Sequence, residues 1–421
     1  MSDSPPTLAP APHSSEHWAR VKAEVAQMVG EVPLYAGRAA APDSDDPEAI
    51  SAWLASMPTI GKRELRRGFP RALVRKSCDL KAEMARGAVE IIATSGTTEN
   101  RLQVLWEWSW WDPQEREAMR YNTRVAEAMP PGAPFREAVL TTPVCGGATC
   151  HVGNLSRLER TVDGMLFLNQ VADPTHWSPA ELDRMLAEWN ELAPDGVEAD
   201  PAYLAALCRY ATQTATRMSA PRFVTLTYEL ATRAHKRAIA RAIDAPLYSL
   251  YGSTETGVLF MECTEGRLHH NARHSHLELL DAKGGLGRVV VTTLGRTWMP
   301  LCRYELGDVV RPTSGPCRCG ARDEGYQLER VEGRLADCLQ SGDRLATPAM
   351  LDDAIDGADP RIEGWQLQRE PDGAFTLGVV GETDGAQAAE AAAGLLEARV
   401  TPRIEAAILP EGSGKYRMVR P

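Results

Sequence analysis

The chain has 421 residues, of which 43% are hydrophobic and 24% charged, with a formal net charge of −11. That length exceeds one ordinary core and calls for two or three domains, and the negative balance argues against a nucleic-acid or anionic-membrane partner. Nine cysteines at irregular spacing, with no secretory leader pattern and no bilayer-length apolar run, predict a cytoplasmic protein with free thiols or a metal site, not a disulfide framework.

Residues 1–15 are rich in Ser, Pro and Ala and are expected to form a disordered tail. Trp18, Val21, Val25 and Met28 recur at helical spacing, and a second short helix carries Ile50, Trp53 and Leu54 after the acidic linker 43–47. The basic run 62–67 reads as a solvated helix face. A strand-prone run, 89–93, feeds into Thr94, Ser95, Gly96, Thr97 and Thr98. Three hydroxyls and a glycine in positions 95–98 can aim N–H and O–H groups at one small anion, because Gly96 lets the backbone approach closely. The same residues also suit a plain polar surface turn. Alternation of Trp106, Trp108 and Trp110 predicts a strand over 102–110. These tryptophans suit a core or, alternatively, a pocket wall. Asp112 followed by Pro113 predicts an N-cap and a helix running to about 129.

A strand at 138–142 leads into a loop bearing Cys145, Gly146 and Gly147, at the kind of strand end where α/β sheets bind ligands. Helices are expected at 178–189 and 201–216, and a buried strand at 222–227 ends in Tyr228 and Glu229. A helix at 232–243 and a strand at 246–250 follow. Strands alternating with helices predict an α/β fold with a largely parallel sheet. The last strand ends in Tyr251, Gly252, Ser253, Thr254, Glu255, Thr256 and Gly257. Its hydroxyls suit phosphate oxygens and its carboxylate suits Mg²⁺, which prefers oxygen ligands beside phosphates. After a strand at 287–293, Asp308 follows Gly307, where it can grip a ribose diol or simply cap a turn.

From residue 332 the pattern changes. A hairpin around Gly342, a helix at 348–355, strands at 364–369 and 375–380, a helix at 387–399 and a strand at 404–409 compose a small α+β unit of about ninety residues. It ends in Gly412, Ser413, Gly414 and Lys415, a lysine on a glycine-bearing loop.

Four ordered signals, 94–98, 251–257, 303–308 and Gly333-Arg334 with Asp337, together with Gly414-Lys415, resemble the adenylate-forming acyl ligases. The branch they are most similar to is that of the phenylacetate–coenzyme A ligases and coenzyme F390 synthetases. Val32-Pro33-Leu34-Tyr35 and the segment from Leu54 to Lys62 also look like that branch, so the resemblance covers roughly 20–421. It implies a large multi-sheet adenylation domain at 16–333 and a small mobile lid at 334–421. Ser95, Gly96, Thr97 and Thr98 would hold the β/γ-phosphates, Thr254 the α-phosphate and Glu255 the Mg²⁺. Tyr251, with Gly252 and Ser253 beside it, would lie against adenine, Asp308 would hold the ribose and Arg334 would lie nearby. Lys415 would reach the reacting carboxylate, and Asp337 would be the hinge. Cys145, Gly146, Gly147, Tyr228 and Glu229 would line the acyl pocket. The family loop has glycine, a basic residue and proline where this chain has Glu99, Asn100 and Arg101, and Glu99 is expected to face solvent.

The activity implied is ATP-dependent activation of a small, aromatic or cyclic carboxylic acid, with transfer to coenzyme A. A carrier-protein thiol or an amine is the alternative acceptor, and a non-catalytic nucleotide-binding relative is a further alternative. Cys317-Arg318-Cys319-Gly320 resembles the zinc-bearing members, and Cys263, His269, Cys317 and Cys319 are the expected structural Zn²⁺ ligands, against a reading as buried thiols and a histidine-bearing strand. Cys145, Cys150 and His151 suggest a Cys–His nucleophile, but no acid nearby would orient the histidine, so the pocket-wall reading is preferred. A homodimer is common in this branch.

Overall fold

The computed structural model describes residues 8, 11–94, 102–130, 132–141, 152–171, 173–321 and 324–420. The candidate phosphate loop (Ser95, Gly96, Thr97, Thr98 and Glu99) and the loop with Cys145, Gly146 and Gly147 lie outside these residues, as do Cys150 and His151. The chain forms two compact units: one from Met1–Thr123 and Tyr251–Arg330, the other from Arg124–Cys145, Thr149–Leu250 and Val331–Pro421.

In the first unit, the helix Ser15–Glu31 begins at Ser14, whose hydroxyl accepts the His17 N–H, and it buries Trp18, Val21, Val25 and Met28. The expected tail therefore ends earlier than residue 15. Pro12 accepts the Gly325 N–H at 2.8 Å, and the Leu8 N–H donates to the Leu279 carbonyl at 2.8 Å. Helices Pro47–Ser56 and Lys62–Gly68 follow. Strands Ser275–Asp281, Gly287–Thr293 and Tyr304–Thr313 pair antiparallel in that order, and Leu268–His270 pairs antiparallel with Gly257–Glu262.

The front-end segments are laced onto this sheet. Ile60 bridges Tyr304, with Ile60 N–H donating to the Arg303 carbonyl and Glu305 N–H to the Ile60 carbonyl. The Tyr35 hydroxyl donates to the Pro300 carbonyl and accepts the Cys302 N–H. Arg303, buried and at φ 55, donates to Glu278 and to the carbonyls of Ala55 and Met57.

The tryptophan run departs from the expected strand. The strand is Gln103–Trp106 and the helix Trp108–Met119 starts at once, with Pro113 inside it. The cause is Glu107: its buried carboxylate accepts the N–H groups of Thr297 and Trp298, which turns the chain there. Trp106 then packs against Trp111 with ring centroids 3.8 Å apart and tilted by 34°, and Trp110 packs beneath the Arg296 guanidinium.

In the second unit, Met165–Phe167, Glu137–Leu140, Gly196–Ala199, Phe223–Leu226 and Leu247–Ser253 form a parallel run. Helices Pro179–Leu192, Pro201–Gln213 and Arg233–Ala242 connect these strands. Trp189, Tyr203, Leu204, Val224 and Ile239 are among the buried core residues. Phe223–Leu226 is buried at every position, as a strand covered on both faces must be. The largely parallel sheet expected from sequence thus describes this unit, whereas the strands of the first unit are antiparallel.

The same unit carries a small α+β module with its own core around Leu351, Ile355, Trp365, Leu367 and Leu377. Its sheet runs Val400–Ile404, Phe375–Gly381, Ile362–Arg369, Val419–Arg420. The strand expected at 404–409 is thus Val400–Ile404. Ile404 and Leu409 are exposed, and Pro402 suits an edge strand because it has no N–H to donate. The whole is an α/β fold followed by a small α+β module. No described helix is long and apolar enough to cross a membrane.

Candidate functional site

The turn after Leu247–Ser253 is held tightly. Thr256 N–H donates to the Ser253 carbonyl, and the Ser253 and Thr256 hydroxyls share a hydrogen bond at 2.9 Å. A Cβ at Gly252 would collide with the Gly257 carbonyl, and one at Gly257 (φ 76) would meet the Gln114 side chain at 2.7 Å. Gln114, fully buried, accepts the Val258 N–H at 2.9 Å. Both glycines are therefore required by close approach. The turn leaves Thr254 partly exposed and Glu255 buried.

Glu255 Oε1 accepts the Tyr304 hydroxyl at 3.1 Å and lies 3.9 Å from Lys62 Nζ. The Glu255 carbonyl accepts from Arg296, a guanidinium pushed down to about 10 by burial against the pull of Glu107 and Glu255. Lys62 was expected on a solvated face. Instead the first residue of Lys62–Gly68 points its ammonium at the candidate metal carboxylate. The signal that would have found it is its place at the end of the segment from Leu54, which already resembled the ligase branch. Glu255 Oε2 makes no hydrogen bond among the described residues, and a hard oxygen donor at that position fits Mg²⁺.

Tyr251 and Asp308 are brought together: the phenol donates to Asp308 Oδ2 at 2.8 Å, and the ring stacks on Phe260 at 6.0 Å. Asp308 is 6% exposed. The phenol thus fixes the rotamer of the carboxylate assigned to ribose.

In the second unit, Lys415 Nζ donates to the Tyr228 carbonyl at 3.0 Å, and the Tyr416 N–H donates to Glu229 Oε1 at 2.8 Å. Tyr228 has φ 72, unusual for a bulky side chain, and its hydroxyl donates to Glu198. The Tyr203 hydroxyl holds the Gly414 carbonyl at 3.1 Å. Sequence reasoning missed Glu198, Asp200 and Tyr203. Asp200, in front of Pro201, carried the signal of an N-cap, and it caps Pro201–Gln213 by accepting the Ala202 and Tyr203 N–H groups. Its other oxygen, Oδ2, is buried without a partner among the described residues. Burial pushes Asp200 up to about 7, with Lys415 acting in the opposite direction. Burial also drives Glu229 well above the usual range and raises Glu198. The lysine loop therefore rests on a group of carboxyls that are costly to ionise.

Asp337 pairs with Arg417 at 2.7 Å. Arg334 is exposed at the end of Gln327–Arg334, and its carbonyl accepts from the Cys338 thiol.

The four expected zinc ligands converge. The ligand atoms of Cys263, His269, Cys317 and Cys319 all lie within 4.8 Å of one another. Cys263 and Cys317 sulfurs are 3.7 Å apart, and Cys319 Sγ is 3.3 Å from His269 Nε2. Backbone N–H groups of Glu265 and Ala321 point at Cys263 and Cys319 sulfurs at 3.4 Å each. Such donors favour thiolates, so the donor set and its surroundings fit a closed zinc site.

No protein-family model matches the chain. A 2-hydroxyisobutyryl-CoA ligase solved in its postadenylation state superposes with a TM-score of 0.69 at 15% identity, over 94% of this chain and 87% of that one. The chain has the adenylate-forming ligase fold. ATP-bound MatB from Rhodopseudomonas palustris shares that fold, with a TM-score of 0.51 at 16% identity over 78% of this chain and 66% of that one. In sequence, the chain is 29% identical over 118 residues to protein CapK of Staphylococcus aureus, a match spanning 28% of this chain and only 26% of CapK. Within the adenylate-forming ligase fold, the small module that carries Lys415 follows the larger α/β part.

Proposed function

We propose that the chain activates a small carboxylic acid with ATP and passes the acyl group to coenzyme A. In the first step a carboxylate oxygen attacks the α-phosphorus, the bond to the β-phosphate breaks, and pyrophosphate leaves. In the second a thiol attacks the acyl carbon, AMP leaves, and the thiol proton goes to solvent.

The observation that carries this reading is Lys415 Nζ at 3.0 Å from the Tyr228 carbonyl, beside Glu229. The lysine loop and the acyl-pocket pair, both assigned by the same resemblance, lie 187 residues apart in sequence and meet. Lys415 neutralises charge as two anions approach, which is where such a reaction needs help. Asp308, oriented by Tyr251, holds the ribose, and Tyr251 faces the adenine. Thr254 donates to the α-phosphate. Ser95, Gly96, Thr97 and Thr98 cradle the β/γ-phosphates, Arg334 supports the nucleotide, and Asp337 is the hinge. Glu255 would hold Mg²⁺, which supplies charge neutralisation on the phosphates. Tyr304 and Lys62 keep the Glu255 carboxylate in place. The pocket, with Cys145, Gly146, Gly147, Tyr228 and Glu229, receives an aromatic or cyclic acid. Cys263, His269, Cys317 and Cys319 hold a structural zinc.

The test is product analysis after incubation with ATP, Mg²⁺, a panel of aromatic, cyclic and aliphatic acids, and coenzyme A. The reading expects AMP and an acyl-coenzyme A thioester in equal amounts. AMP formed only with a carrier protein or an amine would move the acceptor, and no AMP with any acid would leave a nucleotide-binding protein.

A further inference from the structure

We propose a second transition-metal site, built from the imidazoles of His13, His17 and His276, that takes a borderline divalent cation, zinc foremost. It shares no residue with the sulfur site or with the nucleotide and acyl residues.

The geometry begins with the strand-and-turn segment from Leu268 to His276. His269 turns to the cysteines, while His276, on Ser275–Asp281, turns toward the start of the first helix. His17 Nε2 lies 3.0 Å from His276 Nδ1. His13, one residue before the N-cap Ser14, stacks its ring on His17 at 3.8 Å. One ligand nitrogen from each of the three falls within 4.8 Å of the others. Zn–N bonds of about 2.0–2.1 Å in a tetrahedron put ligand nitrogens ~3.3 Å apart. The His17–His276 pair is already near that spacing, and His13 has only to swing inward.

Two further observations point to a ligand. Both ring nitrogens of His13 are buried with no hydrogen-bond partner among the described residues, a state that costs free energy unless something binds there. A ring nitrogen of His17 is held by the Ala272 carbonyl, the outer contact that fixes the tautomer of a metal-binding histidine. Three imidazoles without thiolate or carboxylate suit zinc, copper or nickel and not Mg²⁺ or Ca²⁺. An ion here would fasten His13 and His17 to the sheet, near where Leu8 meets Leu279, Pro12 meets Gly325 and Ser14 meets Glu324.

Cobalt distinguishes the two sites, because only the sulfur site can give a thiolate-to-metal charge-transfer band. The metal-free, tag-free full chain is titrated with Co²⁺, and bound cobalt is counted by elemental analysis. The proposal expects about one equivalent beyond the one that tracks the thiolate band. His17→Gln removes that extra equivalent, or weakens it by at least about 10–100-fold, with the thiolate band unchanged. His13→Gln, in a half-buried position ahead of the helix, does the same and guards against a folding defect in the first variant. No cobalt beyond the thiolate-linked equivalent, or an extra equivalent that survives both variants, overturns the proposal. If the thiolate band is itself missing, the sulfur site fails alone and the imidazole site is judged on the cobalt that remains.

Discussion

Lys415 Nζ donates to the Tyr228 carbonyl at 3.0 Å, across 187 residues of sequence. Tyr228 sits at φ 72, and the neighbouring N–H of Tyr416 is held by Glu229. Under the proposed function the lysine acts at that strand end, where the strained backbone of Tyr228 holds it. Lys415→Ala is therefore expected to lower acyl-adenylate formation by about 10²–10³-fold and to leave thioester formation from a supplied acyl-adenylate unchanged. Single-turnover assays of each half-reaction check this, and equal loss in both would remove the two-step role of the lysine.

The Tyr251–Asp308 pair predicts a graded nucleotide effect. Asp308→Ala should raise KM for ATP by about 10–100-fold, the range for losing hydrogen bonds to a charged group. Tyr251→Phe keeps the ring and loses only the bond that orients Asp308, so its effect should be smaller, about tenfold or less. Steady-state kinetics with ATP varied decide it; a Tyr251→Phe effect exceeding that of Asp308→Ala would contradict the assigned order.

Asp200 predicts a pH dependence of stability. Its folded value, about 7, lies above the ordinary 3.8 because it is buried. Its contribution is therefore complete below about pH 4 and is lost as pH rises through about 7. Glu229, also raised, acts in the same direction. Between pH 5 and pH 8 the Asp200 share is on the order of 3 kcal/mol. Asp200→Asn, which retains the cap oxygen, should shrink the fall in urea stability over that window. An unchanged pH profile would mean that Asp200 ionises as freely when folded as when unfolded.

Arg303 should be among the most sensitive structural positions. It is buried, pairs with Glu278 at 2.9 Å and donates to two carbonyls of the 55–57 segment. Arg303→Ala leaves Glu278 buried and unpaired, at a cost of about 3–5 kcal/mol. Arg303→Lys should recover only part of this, since an ammonium lacks the planar fork. Chemical unfolding of both variants is the measurement, and a loss below about 1 kcal/mol for the alanine variant would rule out this role.

If Cys263, His269, Cys317 and Cys319 hold the proposed zinc, removing it should loosen the first unit. Cys317→Ser is expected to lose about one zinc per chain and to lower Tm by more than about 5 °C. Metal analysis and calorimetry check this together, and full zinc retention would show that the ion lies elsewhere.

Much of this arrangement was legible in the sequence, for identifiable reasons. Asp46, Ser178, Asp200 and Thr232 each cap a helix whose start composition already marked. The β-branched run 289–293 marked the strand at 287–293, Glu255 and Asp308 stood out beside glycines that mark tight turns, and Asp337 was legible only through the family resemblance. What escaped was tertiary. The tryptophan run looked like a strand because its period was read without Glu107, whose buried carboxylate binds two distant N–H groups and starts a helix. Lys62 looked solvated because nothing local shows that Ile60 pairs with Tyr304 and so delivers the lysine to Glu255. His13 looked like part of a tail because nothing local shows that His276, far along the chain, lies against it and His17.

The most direct test of the account is ATP–pyrophosphate exchange with the full chain, Mg²⁺ and the acid panel, run in parallel with Lys415→Ala. The account predicts exchange that depends on one class of carboxylic acid and collapses in the variant. Absence of exchange with every acid, or exchange equal in both proteins, would contradict it.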